Sequence, residues 1–254
     1  AQSTPAAQST PAAQSTPAAQ STPAAPPSVA PLARVGWTAH ALGFAYPGAR
    51  ALFTRLEFDV RPGQALVIVG PSGVGKSTLL NLLVGNLAPT QGTLQIGTDT
   101  GLRTLREVQA ELLASLGYVG PESFLFDGTI LENLSYGLAD PPTSAELKRA
   151  IELAECQFID RYPSGLNHRI TDQGDGISAG QKQRLALARA ILRKPRALIL
   201  DEATANLDAE TEARLVRTLA GLKGEMTLVA VTHRQALLEI ADHVITLNED
   251  LHGP

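Results

Sequence analysis

Several short stretches of this sequence gather side chains suited to handling phosphate. In "GPSGVGKST", Gly70, Pro71, Ser72, Gly73, Val74, Gly75, Lys76, Ser77 and Thr78 fit the pattern G-x-x-x-x-G-K-[ST]. The glycines let backbone N–H groups wrap an anion, Lys76 reaches the outer phosphates of a nucleoside triphosphate, and the Ser77 hydroxyl can ligate Mg2+. With glycine near 7% of residues, chance produces this pattern at on the order of one start site in tens of thousands. In "ALILDEATANLD", Asp201 and Glu202 follow an apolar strand directly. Ligands sit at the carboxyl ends of strands in parallel sheets. There Asp201 would hold a metal through water, and Glu202 would polarise an attacking water. Adjacent carboxylates repel unless a cation joins them, and Mg2+ would supply it.

Three further stretches are less specific. "VAVTHR" sets His233 after the next apolar strand, near the same sheet edge. Tyr46, in "FAYPG", reads either as an aromatic that stacks on a base or as a turn residue, and spacing does not decide between them. "ISAGQKQRLALARA", residues 177–190, looks like a helix start: Ser178 can cap, and Gly180 lets a ligand approach the backbone. Helix N-termini of this kind bind phosphate, although the stretch alone reads first as an ordinary capped helix. It poses a question, because one domain would then carry two phosphate grips far apart in sequence.

These residues need elements to hold them. "LEFDV" alternates, with Leu56, Phe58 and Val60 on one face and Glu57 and Asp59 on the other, and "ALVIVG" is a short buried strand. A helix over 76–84 follows, which sets the glycine loop between strand and helix. "TLQIG" reads as a strand and 104–116 as a helix. Residues 129–157 are mostly helical, broken by "DPPTS", where Thr143 or Ser144 can cap the next helix. Residues 162–176 are loop-like. Beyond them "RALIL", a helix over 209–222, "TLVAVT", a helix over 234–240 and "HVITL" alternate. That order predicts an α/β core with a largely parallel sheet and an inserted helical lobe.

Composition narrows the setting. "AQSTPA" occurs four times from Ala1 to Ala24, followed by "APPSVAPLA", so residues 1–33 read as an extended linker with too little apolar surface to fold. The charged start and apolar core of a secretory signal are missing there. Residues 34–254 suffice for one sizeable core, or for a core with one inserted lobe. A net charge of −4 argues against a nucleic-acid surface. The lone Cys156 rules out an internal disulfide and suits a reducing compartment. No apolar run approaches the ~20 residues that cross a bilayer, and the five histidines lack metal-ligand spacing.

"GPSGVGKST", "ISAGQKQRLALARAIL", "ALILDEATANLD" and "VTHR", in that order, resemble the nucleotide-binding domain of an ABC transporter. The resemblance covers about residues 34–247, and "FLFDGTILENL" is most similar to the exporter branch, where membrane helices precede this domain on the same chain. It implies a RecA-like P-loop NTPase with an antiparallel β part and a helical subdomain at about 120–181. It implies ATP and Mg2+ as ligands, ATP hydrolysis, and head-to-tail pairing with a second such domain. Each ATP would then lie between Lys76 of one copy and Ser178, Ala179, Gly180 and Gln181 of the other, which answers the question of the two grips. The same resemblance gives Tyr46 the adenine ring, Glu202 the role of general base and His233 the γ-phosphate. Asp208 would end the loop that passes between protomers. The helical lobe would face a transmembrane partner, at the cytoplasmic face of the membrane.

Three positions depart from the family pattern. Ala179 stands where the signature usually has glycine, and Ala205 where exporters often have serine. The family's sensing glutamine after "YV" is absent: strict register puts Pro121 there, with Glu122 beside it as a possible metal or water contact. That absence is the one feature favouring a degenerate domain that binds ATP and regulates an active partner. A non-transport ABC ATPase is the other alternative, but such proteins carry tandem domains or a coiled-coil insertion.

Overall fold

The computed structural model describes residues 29–171 and 176–248. The AQSTPA repeat and residues 172–175 of the expected loop lie outside the described residues.

Strands β1 (Gly36–Ala45) and β2 (Ala51–Val60) form an antiparallel hairpin. In β2 the expected alternation holds, with Leu56 and Val60 buried and Glu57 and Asp59 exposed. After β3 (Ala65–Val69), α1 (Lys76–Leu83) starts from Gly75, whose φ of 108° is a left-handed conformation that glycine adopts freely. Then come β4 (Gln91–Thr98), β5 (Gly101–Thr104), α2 (Leu105–Ser115) and β6 (Leu116–Val119). The helix expected over 104–116 ends one residue early because Leu116 is already extended and begins β6.

The helical middle contains β7 (Gly128–Thr129), α3 (Ile130–Ser135), α4 (Ser144–Leu153), β8 (Arg169–Ile170) and α5 (Ala179–Leu192). Thr143, not Ser144, caps α4: its hydroxyl accepts from Glu146 N, and the Glu146 carboxylate accepts from Thr143 N at 2.8 Å. This reciprocal cap satisfies two of the N–H groups a helix start leaves open. The expected loop over 162–176 is interrupted by β8, which pairs with β7 and buries Ile170. Two residues are too few for a readable period. The chain closes with β9 (Ala197–Asp201), α6 (Ala209–Leu222), β10 (Thr227–Val231), α7 (Gln235–Leu238) and β11 (His243–Thr246). The last helix is a single turn rather than the seven-residue element expected over 234–240.

Five parallel strands, in the order β11-β3-β10-β9-β6, make the central sheet, and β2-β1-β4-β5 make a separate antiparallel one. Strand period decides which core each side chain enters. Ala65, Val67, Leu198, Leu200, Leu228 and Ala230 face α5, α6 and the helical middle. Leu66, Ile68, Ile199, Val229 and Val231 face α1, α2 and the antiparallel sheet. Trp37 of β1 is fully buried there and donates its indole N–H to Leu83 O at 2.9 Å, which locks the antiparallel sheet onto α1. The reading of 1–33 as unable to fold is corrected at Leu32. Its side chain is buried in this second core and its N–H donates to Ser115 Oγ at 2.7 Å, which holds it beside the last residue of α2.

Candidate functional site

The glycine loop joins the carboxyl end of β3 to α1, as strand and helix order required. Gly70 is obligatory for space: a Cβ there would lie 2.4 Å from Leu247 O. Gly73 and Gly75 have φ of 81° and 108°. Lys76 is almost fully buried and its ammonium donates to Gly70 O at 2.9 Å and Pro71 O at 2.8 Å, arching back over the loop. A cavity of about 320 Å³ is lined by Ser72, Gly73, Gly75, Lys76, Ser77 and Thr78, and on its far side by Asp201, Glu202, Val231 and Pro121. The loop's cation and hydroxyls therefore face two carboxylates across one space. Tyr46, in the turn after β1, brings its hydroxyl within 3.2 Å of Thr78 Oγ1 and packs edge-on against Phe44.

Asp201 ends β9, and β10 alongside ends at Val231 opposite it in register. That register carries His233 to the same edge, where its Nε2 lies 3.3 Å from Glu202 Oε1. Burial pushes the Asp201 carboxyl above its ordinary range and the Glu202 charge adds to this, while the Tyr118 hydroxyl and Lys76 act the other way. Glu202 has φ 52°, in the left-handed region that non-glycine residues rarely adopt. It is held there on three sides: its N–H donates to Val231 O, while its carbonyl accepts from Ala205 N–H at 3.1 Å and from Gln183 Nε2 at 3.3 Å.

Ser178 caps α5 through a reciprocal pair with Gln181: Ser178 Oγ accepts from Gln181 N at 3.2 Å, and Gln181 Oε1 accepts from Ser178 N at 2.8 Å. By helix geometry the N–H groups of Ala179 and Gly180 have no acceptor within α5. None of residues 178–181 lines the cavity that holds Lys76. Ala179 is exposed, so its methyl has room, whereas Gly180 is buried against Asn206 and Leu207. Asp208 follows that loop, and its carboxylate caps α6 by accepting from Thr211 N at 2.9 Å, a contact that holds it below the usual carboxylate range. Glu122 is exposed and does not line the cavity, although Pro121 does.

Three residues escaped the sequence reading. Tyr118 donates its hydroxyl to Asp201 Oδ2 at 3.1 Å, and its phenol is pushed up to about 12 by burial of the hydroxyl end and then by the Asp201 charge. Gln183 supports Glu202. Asn133, buried, bonds Phe126 N, Phe126 O and Thr129 O and so shapes the segment leading from β6 to α3. Only the alternation of "LGYV", with Val119 inward, hinted at the first.

A glycine loop, a buried lysine and a carboxylate pair at the end of a parallel strand define a P-loop nucleoside triphosphate-binding domain. A family description, "ABC transporter", matches residues 53–205, and the chain belongs to that family. It is 40% identical over 208 residues to the "Uncharacterized ABC transporter ATP-binding protein YfiC" of Bacillus subtilis, covering 81% of this chain and 34% of that protein. It is also 40% identical over 210 residues to a "Multidrug resistance ABC transporter ATP-binding and permease protein" of Lactococcus lactis subsp. cremoris, covering 82% and 35%. Among solved structures it is similar to a bacterial Atm1-family ABC exporter with ATP bound, with a TM-score of 0.74 and 34% identity over 92% of this chain and 40% of that one. The chain spans about a third of the length of the curated relatives it matches. The expected nucleotide-binding domain of an ABC transporter, with its parallel sheet, antiparallel part and helices, is borne out.

Proposed function

We propose that this domain hydrolyses ATP between two head-to-tail copies and drives export through a transmembrane partner. The observation that carries the reading is the single cavity in which Lys76, Ser77, Asp201 and Glu202 converge, with the imidazole of His233 against Glu202. The glycine loop's N–H groups and Lys76 bind and orient the triphosphate, and Tyr46 beside Thr78 offers its ring to the base. Glu202 accepts a proton from the attacking water, and His233 donates to the terminal phosphate. Such chemistry is catalysed by positioning and charge stabilisation rather than by covalent steps. Ser77 and Asp201 supply hydroxyl and carboxylate oxygens, the donors that Mg2+ takes together with phosphate. Bound there, Mg2+ would neutralise charge on the phosphates.

The second grip supports pairing. The N-terminus of α5, with Ser178, Ala179, Gly180 and Gln181, offers N–H groups to an anion that its own cavity does not deliver. A partner copy's ATP fits that need, and Asp208 would lie in the loop between protomers. An exposed groove walled by Leu113, Tyr118, Phe124, Tyr136, Arg189 and Arg193 supports docking of a segment from the transmembrane partner. Four large apolar side chains at one open surface mark an interaction site. With that partner the domain sits at the cytoplasmic face of the membrane. Domain limits of 34–254, with the helical subdomain at about 120–181, follow the same reading.

The test is Glu202→Gln. Turnover falls at least ~10²-fold, the range for loss of one key polar group, while ATP binding stays intact and the Mg-ATP-loaded variant sediments as a dimer. Near-normal hydrolysis removes Glu202 from the role, and a strictly monomeric loaded protein removes the shared site.

A further inference from the structure

Two cavities meet at Tyr118. One, of about 390 Å³, runs from Ser77 and Asp201 along Leu80, Asn81 and Leu116. The other is the open groove between Leu113, Phe124, Tyr136 and Arg193. Tyr118 lines both: the residue is 55% exposed, yet its hydroxyl reaches Asp201 Oδ2. This reach is set by the backbone, because Tyr118 pairs with Ile199 in register, two residues before Asp201, and its neighbour Val119 is buried in the core. On the rim of the ATP cavity, Pro121 has neither an N–H nor a polar side chain to offer.

We infer that Tyr118 is a positioning residue that orients the Asp201 carboxylate, a side-chain contact that Pro121 on the rim of the cavity cannot make. The hydrogen bond to Oδ2 removes the carboxylate's freedom to rotate about its Cβ–Cγ bond. The inference rests on the reading of Asp201 as the residue that holds Mg2+.

Tyr118→Phe keeps the ring in the groove and deletes only the hydroxyl. The experiment titrates Mg2+ against binding of a non-hydrolysable ATP analogue to wild-type and variant protein, with ATP turnover measured beside it. A hydrogen bond to a charged acceptor corresponds to about tenfold in an equilibrium. The half-saturating Mg2+ concentration therefore rises about tenfold and turnover falls by a similar factor. Analogue binding without Mg2+ stays within about twofold. Phe124→Ala, which alters the groove without touching Asp201, leaves the Mg2+ requirement where it was. A Tyr118→Phe protein that matches wild type in both Mg2+ requirement and turnover overturns the role of Tyr118 and leaves the ATP site standing. Equal shifts in both variants overturn it too. Failure of the wild type itself to bind the analogue overturns the ATP reading and the inference with it.

Discussion

Replacing Gly180 by alanine tests how tightly α5 is fitted against the loop after Glu202. A Cβ on Gly180 would lie 2.7 Å from Asn206 O and 3.2 Å from Leu207 Cδ2. The first contact is with backbone, so either the helix or the loop must move. The loop resists: Arg234 Nη2 donates to Ala205 O at 2.9 Å, Leu207 N donates to Thr204 O at 3.1 Å, and Leu207 is buried. Overpacking of this kind costs about 1–3 kcal/mol. Alanine's better helix propensity returns about 0.5–1 kcal/mol. The net loss is about 0–2.5 kcal/mol, centred near 1 kcal/mol, a fall in Tm of about 2–4 °C for a domain of this size. Thermal unfolding by circular dichroism reads it directly, with Mg-ATP-driven dimerisation of the Glu202→Gln protein as the second assay. Gly180→Ala unfolds earlier and dimerises less, because the α5 terminus is displaced. A Tm equal to or above wild type, with dimerisation intact, would refute the packing argument.

Two further outcomes follow from charge and burial. Glu146 is held down at about 2 by Lys194, 2.5 Å away, and by the N–H and hydroxyl of Thr143. Its stabilisation is full above the ordinary value of 4.5 and is lost as pH falls through about 2. Glu146→Gln therefore lowers Tm at neutral pH, and its gap from wild type closes between pH 4.5 and 2; a gap constant with pH would count against the cap and ion pair. Cys156 is buried and its thiol is pushed up to about 12 by desolvation. At pH 8 only ~10⁻⁴ of it is thiolate, so the native protein resists iodoacetamide and takes up one label only on unfolding, as mass spectrometry would count. Rapid labelling of folded protein would contradict that burial.

What could be read in advance divides along physical lines. The loop at residues 70–78 was legible because wrapping an anion with backbone demands glycines at fixed spacing, and β3, β9 and β10 because a strand covered on both faces is apolar throughout. Asp201 and Glu202 were legible from their place after such a strand, and His233 from the next one. Leu32 was not, since a single apolar residue after a repeat carries no period. The β7–β8 pair was too short to show. Tyr118 and Gln183 act through parallel register and helix packing, which link residues 83 and 19 positions apart, and no local pattern encodes such a meeting. Pro121 and Glu122 illustrate the converse. Sequence register put Pro121 at the position and made Glu122 the candidate contact, yet in the fold Pro121 lines the cavity and Glu122 does not.

The glycine loop's cavity and the N-terminus of α5 are linked inside one protomer through Glu202. Its left-handed backbone costs about 1–3 kcal/mol and persists because Val231, Ala205 and Gln183 bond it in place. Gln183 belongs to α5, four residues on from Ala179, and Gly180 of the same helix presses on Asn206 from the other end of the 202–208 loop. The loop is thus bracketed by one rigid helix. A displacement of that helix's N-terminus, where a partner's phosphate would bind, would strain the contact that Gln183 makes with the Glu202 carbonyl. On the proposed reading, α5 is the element through which occupancy of one site would reach the base of the other.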